Sequence, residues 1–186
     1  HHPQMQAKLE VQDFQFEEGD MGTLYAEANY NDKEGKINID AYADAGEGSR
    51  TDINGYVDIK KSYINLPIFA NNTHLYFLKS FCGSFMDKIQ VQGNGWCKVV
   101  GPLSAINLEG DMQVNGSVYV KPIGVTYKMR DARVQIIPNE IIFANDTITD
   151  PQGHIGIVTG GLHHKNLSHL TYDINILARN LLAYNF

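Results

Sequence analysis

The residues best equipped for chemistry are four histidines late in the chain, His154, His163, His164 and His169. Neutral imidazole is a common metal ligand, so such a group invites a search for a metal centre. Spacing argues against one. His163 and His164 are adjacent, and neighbours on a strand point to opposite faces, so a shared site needs one of them together with distant partners. Hydrogen-bonded or exposed histidine is the simpler reading, and no metal ligand is assigned. Glu109 and Asp111 share one face of a candidate strand. Two carboxylates can divide acid and base roles, but nothing beside these two forms the apolar pocket that would split their pKa values. Gly93-Asn94-Gly95 begins like a dinucleotide fingerprint, yet it lies inside a strand pattern with no helix after it, and so marks a bulge or close backbone packing. There is no G-x-S-x-G elbow, P-loop, H-E-x-x-H or C-x-x-C. The chain therefore reads as a non-enzyme with no catalytic residue and no cofactor. A hydrolase using His164 or Asp173 is the most distant alternative.

The two cysteines, Cys82 and Cys97, are too few to define a disulfide framework, and both a bridge and two buried thiols stay open. A net charge of -6 argues against nucleic acid, whose binding needs clustered Lys and Arg. The densest basic pair, Lys60-Lys61, is the solvated end of a strand. His1-His2-Pro3-Gln4-Met5 looks like an affinity-tag remnant, so residues 1–6 are set aside as disordered and 7–186 are taken as one segment of a larger protein. No run of about 18 apolar residues exists to form a spanning helix, and any membrane anchor belongs to the parent chain. Four N-x-S/T patterns, at Asn71, Asn115, Asn145 and Asn166, are what chance gives an Asn-rich chain.

The elements that would position these residues are strands, because apolar and polar residues alternate with period two. Leu24, Ala26 and Ala28 oppose Tyr25, Glu27 and Asn29, and Ile37, Ile39, Ala41 and Ala43 oppose Asn38, Asp40 and Tyr42. The pattern recurs with Ile53, Val57 and Ile59, with Ile89, Val91, Cys97 and Val99, and with Ile106, Leu108, Met112 and Val114. It returns at the end with Leu170, Tyr172, Ile174 and Ile176. Turns such as Asn31-Asp32-Lys33-Glu34-Gly35 and Asp150-Pro151-Gln152-Gly153 separate the runs, which predicts antiparallel hairpins in a meander. Thr73 to Phe85 breaks the rhythm. Leu75, Leu78, Phe81, Cys82 and Phe85 fall at helical spacing behind a possible cap at Asn72 or Thr73, predicting one short amphipathic helix that plugs the end or open side of the sheet.

Several loose motifs follow one another in the second half. They are L-x-G-x-x-x-V-N-G from Leu108 to Gly116, G-V-T-Y from Gly124 to Tyr127, and I-I-F from Ile141 to Phe143. After them come D-P-Q-G from Asp150 to Gly153, G-x-x-x-G-G-L-H-H from Gly156 to His164, and Tyr172-Asp173 to Asn180-Leu181. In order and spacing this region, with Leu75 to Gly101 before it, resembles the C-terminal region of the TamB family of AsmA-like envelope proteins. Residues 7–70 match only as generic alternating strands, and the two cysteines are not features of the family.

The resemblance implies an all-β fold, a long antiparallel sheet curled into an open trough, the β-taco, with an apolar interior. It also implies a periplasmic segment of a protein anchored in the inner membrane of a Gram-negative envelope. Its cargo would be phospholipid or another acyl-chain lipid moving between the two membranes, and its parent would work beside an outer-membrane barrel of the TamA or BamA type. The apolar parity then lines the groove: Leu24, Ile37, Ile39, Ile53, Val57, Ile89, Val91, Ile106, Leu108, Met112, Val114, Ile155, Ile157, Ile174 and Ile176. Alternation alone favours a closed sandwich in which this face packs on a second sheet. The alternative function is an extracellular adhesion or glycan-binding sandwich, suggested by Tyr25, Tyr42, Tyr63 and Trp96 among many Asn and Asp.

Overall fold

A computed structural model describes residues 4–17 and 19–183, and the tag-like residues 1–3 lie outside it. The first five strands are β1 (Gln4–Phe16), β2 (Gly19–Asn31), β3 (Lys36–Gly46), β4 (Ser49–Asp58) and β5 (Tyr63–His74). Six more follow: β6 (Met86–Pro102), β7 (Asn107–Val120), β8 (Val125–Ile137), β9 (Glu140–Thr149), β10 (Ile155–Lys165) and β11 (Ser168–Ala178). All eleven form one antiparallel sheet in which spatial order equals chain order, the meander expected from hairpin-length turns. The turn at Asp150 closes with the Gly153 N–H donating to the Asp150 carbonyl at 3.1 Å, as an Asp-Pro-x-Gly sequence favours. The sheet does not close into a barrel, because β1 and β11 each pair with one neighbour only. Among the described residues there is no second sheet, so the closed sandwich is not found. Gln4, Met5 and Gln6, set aside in the sequence, are the start of β1 and pair with Asn31, Tyr30 and Asn29.

Directly paired residues share a face, so the register traces each face across the sheet. One row runs Leu24, Ala43, Thr51, Ala70, Gly95, Met112 and Val134 to Phe143, and neighbouring rows on that face are also apolar. The parity flips where a strand bulges. Asn72, Lys88, Asp131 and Asn145 take positive φ in β5, β6, β8 and β9, and register shifts accompany them. A bulge leaves backbone N–H groups out of the ladder. Here side chains of a neighbouring strand collect them: Asn94 Oδ1 accepts from the Asn72 N–H at 2.9 Å, Asn115 Oδ1 from the Asp131 N–H at 2.8 Å, and Asp146 Oδ1 from the Arg133 N–H at 2.8 Å.

Bulges also bend a sheet, and the bend is visible at long range. Three strand spacings in a flat sheet put β2 about 14 Å from β5. Their Cα atoms come within 8 Å. Phe85, at the head of β6, and Tyr172 of β11 bring their rings to 5.6 Å although a flat sheet separates those strands by about 24 Å. The accessible surface is nonetheless 11437 Å², against roughly 9,000 Å² for a compact chain of this mass. The sheet is bent but open.

The core occupies one end of the apolar face. Ile89, Val91, Met112, Val114, Val118, Ala132 and Val134 pack beneath Leu75 and Leu78 of the β5–β6 connection. Next to them Val125, Tyr127 and Ile148 lie under Leu181 and Leu182, which follow β11. The helix predicted over Thr73 to Phe85 reduces to a 3-10 turn, Tyr76–Leu78, running into a single α-turn, Lys79–Cys82. Thr73 and His74 stay in β5 because Thr73 pairs with Gly93 and its hydroxyl meets that of Thr51 at 2.7 Å. Too little chain then remains before Met86 for a full helix, and neither turn has a side-chain cap. No described helix is long and apolar enough to cross a membrane.

Candidate functional site: an apolar sheet face

The expected lining residues divide into four groups. Leu24, Ile37, Ile39, Ile53, Val57, Leu108, Ile174 and Ile176 stand on the apolar face, mostly half-buried, and among the described residues no second sheet lies over them. Ile89, Val91, Met112 and Val114 stand on the same face but are buried in the core under the connection. They hold the fold and are not free to meet a guest. Ile106 lies just before β7, half-buried, with its carbonyl accepting from Asn166 Nδ2.

Ile155 and Ile157 are the exceptions, since both stand on the opposite face, paired with Thr149 and Thr147, and Ile155 is 58% exposed. In their place Gly156 and Val158 take the apolar side, because Gly156 pairs with buried Ile148. Leu181 explains the glycine: its Cδ2 lies 2.9 Å from where a Cβ on residue 156 would stand. The sequence reading passed over Ile64, Leu66 and Ile68 of β5, which pair with Gly101, Val99 and Cys97 of β6, Ile64 and Ile68 also pairing with Val57 and Ile53 of β4. Their alternation was present as the signal. It likewise passed over the Val125, Tyr127 and Met129 parity of β8.

Few polar groups interrupt the face. Asp146, buried between Phe143 and Ile148, keeps Oδ2 without a partner, and burial raises its carboxyl despite the Arg133 N–H on Oδ1. Gly93 sits beneath Leu75 and Met112, where a Cβ would come within 2.8 Å of the Met112 methyl, which is the close packing that Gly93-Asn94-Gly95 suggested. Cys82 and Cys97 are free thiols, and burial pushes both pKa values up, so neither is a ready nucleophile.

The other face is polar. Asp111 pairs with Arg133 at 2.7 Å, which lowers its carboxyl, and Arg50 chelates Asp52 while covering the Tyr42 ring at 4.0 Å. Tyr25 stacks on Tyr42 at 4.9 Å, and Phe69 pairs with Trp96 further along the same row. A shallow depression of about 820 Å³ on this side is lined by Gln90, Ser117, Lys128 and Thr149 among others, and brings no acid–base pair together.

The histidines disperse. His154 Nδ1 contacts Asp150 at 3.1 Å and His163 Nδ1 contacts Glu140 at 3.3 Å. His164 accepts from the Leu167 N–H through Nδ1, and burial lowers its pKa. Among the described residues no three side chains gather as a metal cluster. Asp150 ties down the chain end: it accepts from the Gln152, His154 and Leu182 N–H groups, while the Tyr127 hydroxyl donates to the Leu182 carbonyl at 2.7 Å.

No known protein family, curated protein or solved structure matches this chain.

Proposed function

We propose that the chain is a periplasmic segment of a TamB-like envelope protein, whose curled sheet forms a trough that shelters phospholipid acyl chains between the inner and outer membranes. The parent protein, anchored in the inner membrane, then supports outer-membrane biogenesis beside a barrel of the TamA or BamA type. One observation carries the reading. The apolar parity of successive strands falls on a single face, and among the described residues no second sheet covers it outside the plugged end.

Eleven strands at about 4.8 Å spacing carry that face some 48 Å along its curve, well beyond the roughly 15 Å depth of one leaflet of hydrocarbon. Each CH₂ sheltered there is worth about 0.8 kcal/mol, so a whole chain gains on the order of ten kcal/mol over exposure to water. A lining of Leu, Ile, Val and Ala offers few polar anchors, which suits a guest that must slide. The connection bearing Leu75 and Leu78 and the segment bearing Leu181 and Leu182 both cover the same end of the face, leaving the other as the entrance.

The row Tyr25, Tyr42, Phe69 and Trp96 on the polar face favours a second reading, a glycan-binding surface. Tyr25, Tyr42 and Arg50 cover one another, which leaves only Phe69 and Trp96 for a sugar ring. Native mass spectrometry of the purified protein decides between the two. Bound phospholipid, lost on delipidation and regained on mixing with lipid, supports the trough. A lipid-free protein that takes up no phospholipid and binds oligosaccharide saturably refutes it.

A further inference from the structure

The depression of about 820 Å³ on the polar face is built from hydrogen-bond donors. Lys128 and Arg130 of β8 line it with Asn115 and Ser117 of β7 and Thr147 and Thr149 of β9, and no carboxylate stands among the lining residues. Arg50, Lys79 and Arg133 each hold a carboxylate, at 3.0, 3.6 and 2.7 Å, whereas Lys128 and Arg130 have none among the described residues. The Ser117, Thr147 and Thr149 hydroxyls are likewise without a protein partner among the described residues. Asn115 Oδ1 already accepts the Asp131 N–H at 2.8 Å, so that side chain has only its amide hydrogens left to offer. Register shifts beside Lys88, Asp131 and Asn145 flank the depression on three strands, and bulges re-aim the side chains next to them. Beside it three apolar side chains face water. Ile155 and Ile157, exposed to 58% and 37%, pair with Thr149 and Thr147, and Leu177, exposed to 77%, pairs with Ile157. Charge is uneven along the chain as well: residues 1–74 hold 6 Lys and Arg against 13 Asp and Glu, and residues 75–186 hold 9 against 8. An anion is therefore repelled from the first five strands and meets no net negative charge in the later ones.

We propose that the depression binds a phosphate ester carried on an apolar body, the phosphate between Lys128 and Arg130 and the body along Ile155, Ile157 and Leu177. Lys128 and Arg130 are two residues apart on one strand face, about 7 Å, so both side chains reach a single phosphate. The hydroxyls and the Asn115 amide supply donors for its remaining oxygens. Thr149 pairs with Lys128 on one side and Ile155 on the other, which sets the first apolar side chain two strands, about 10 Å, from the cation. A polar headgroup spans that gap, and the start of a hydrocarbon chain then meets the isoleucines. The donors alone would take any small oxyanion, and the apolar shoulder is what selects a phospholipid over free phosphate. This site lies on the face away from the trough, so it does not rest on acyl chains being sheltered there.

The test is a nuclear magnetic resonance titration of the isotope-labelled full chain with dihexanoyl phosphatidylglycerol, kept below its micelle concentration, and separately with inorganic phosphate. Both are expected to shift the amide signals of Ser117, Lys128, Arg130, Thr147 and Thr149. The phospholipid is expected to shift Ile157 and Leu177 as well and to bind about tenfold more tightly than phosphate. Lys128→Gln and Arg130→Gln, both at exposed positions, should each weaken both ligands by about tenfold. Ile157→Ser combined with Leu177→Ser should weaken the phospholipid alone. Circular dichroism checks that each variant keeps its sheet. Signals of the depression unmoved by the phospholipid, shifts confined to apolar-face residues such as Ile37 and Leu108, affinity unchanged in both charge variants, or phosphate bound as tightly as the phospholipid overturns the proposal.

Discussion

Leu108→Asp separates a functional face from a merely apolar one. Leu108 lies near the β6–β7 turn, pairs with Val99, and is half-buried away from the residues under the connection. Full burial of a leucine is worth about 1.5–3 kcal/mol, so the exposed half leaves about 1 kcal/mol for a guest to gain by covering it. Truncation by Leu108→Ala should therefore weaken binding of an apolar ligand by about fivefold. A carboxylate adds the cost of losing its water beneath a hydrocarbon chain, at least about 2 kcal/mol more, which brings the loss to a hundredfold or beyond.

The assay is titration with an apolar fluorescent dye, with displacement by a long-chain fatty acid. Gln113→Asp is the control, on the same strand but facing the polar side opposite Asn94 and Arg133. Binding by Leu108→Asp should recover partly as pH falls and the new carboxyl takes up a proton. The reasoning fails if Leu108→Asp keeps its sheet and binds the dye within twofold of the unmodified protein, or if Gln113→Asp is the variant that loses binding.

Three further outcomes follow from the packing. Tyr127→Phe removes the hydroxyl that holds the Leu182 carbonyl, costing about 1 kcal/mol, and hydrogen exchange at residues 181–183 should quicken while the strands stay protected. Gly160→Ala meets the Asp173 carbonyl, 2.0 Å from the position of a Cβ, at φ 110°, so it should strip β11 from β10 and lower stability by about 2 kcal/mol or more by urea denaturation. Two carboxylates shape the pH profile with opposite signs. Burial alone would raise Asp150, but hydrogen bonds from Leu182, His154 and Gln152 outweigh it and bring the carboxyl to about 2. Its contribution is full above pH 4 and drains away between about 4 and 2, and Asp150→Asn should lose that acid-dependent portion of Tm. Asp146, raised by burial, carries a penalty at neutral pH that fades as the pH falls toward its raised pKa, so Asp146→Asn should hold or increase Tm at pH 7.

Much of this molecule is legible because period two is a strong local signal. The parities of Leu24 to Asn29, Ile37 to Ala43 and Leu108 to Val114 pass directly into the register. What hides the rest is the bulge. In β8 the apolar residues run Val125, Tyr127, Met129 and then, past Asp131, Ala132, Val134, Ile136, so the phase reverses inside one strand. In β9 it reverses between Phe143 and Ile148. Ile155 and Ile157 were placed by the strongest side chains when the decisive residue was Gly156, whose lack of a side chain makes room for Leu181. The Thr73 to Phe85 periodicity was real at Leu75 and Leu78, but strand pairing at Thr73 left only single turns to carry it. Curvature had no single-residue signal, for it arises from several bulges acting on neighbouring strands.

Because spatial order equals chain order, every strand hydrogen-bonds only with the strands before and after it in the sequence. Folding then resembles a zipper with short loops to close, and the chain comes apart one hairpin at a time instead of all at once. Opening free energies should grade upward from β1 and β11 toward β6 and β7, where the largest side-chain cluster lies. A sheet built this way can lengthen by adding hairpins at either margin without redesign of its centre.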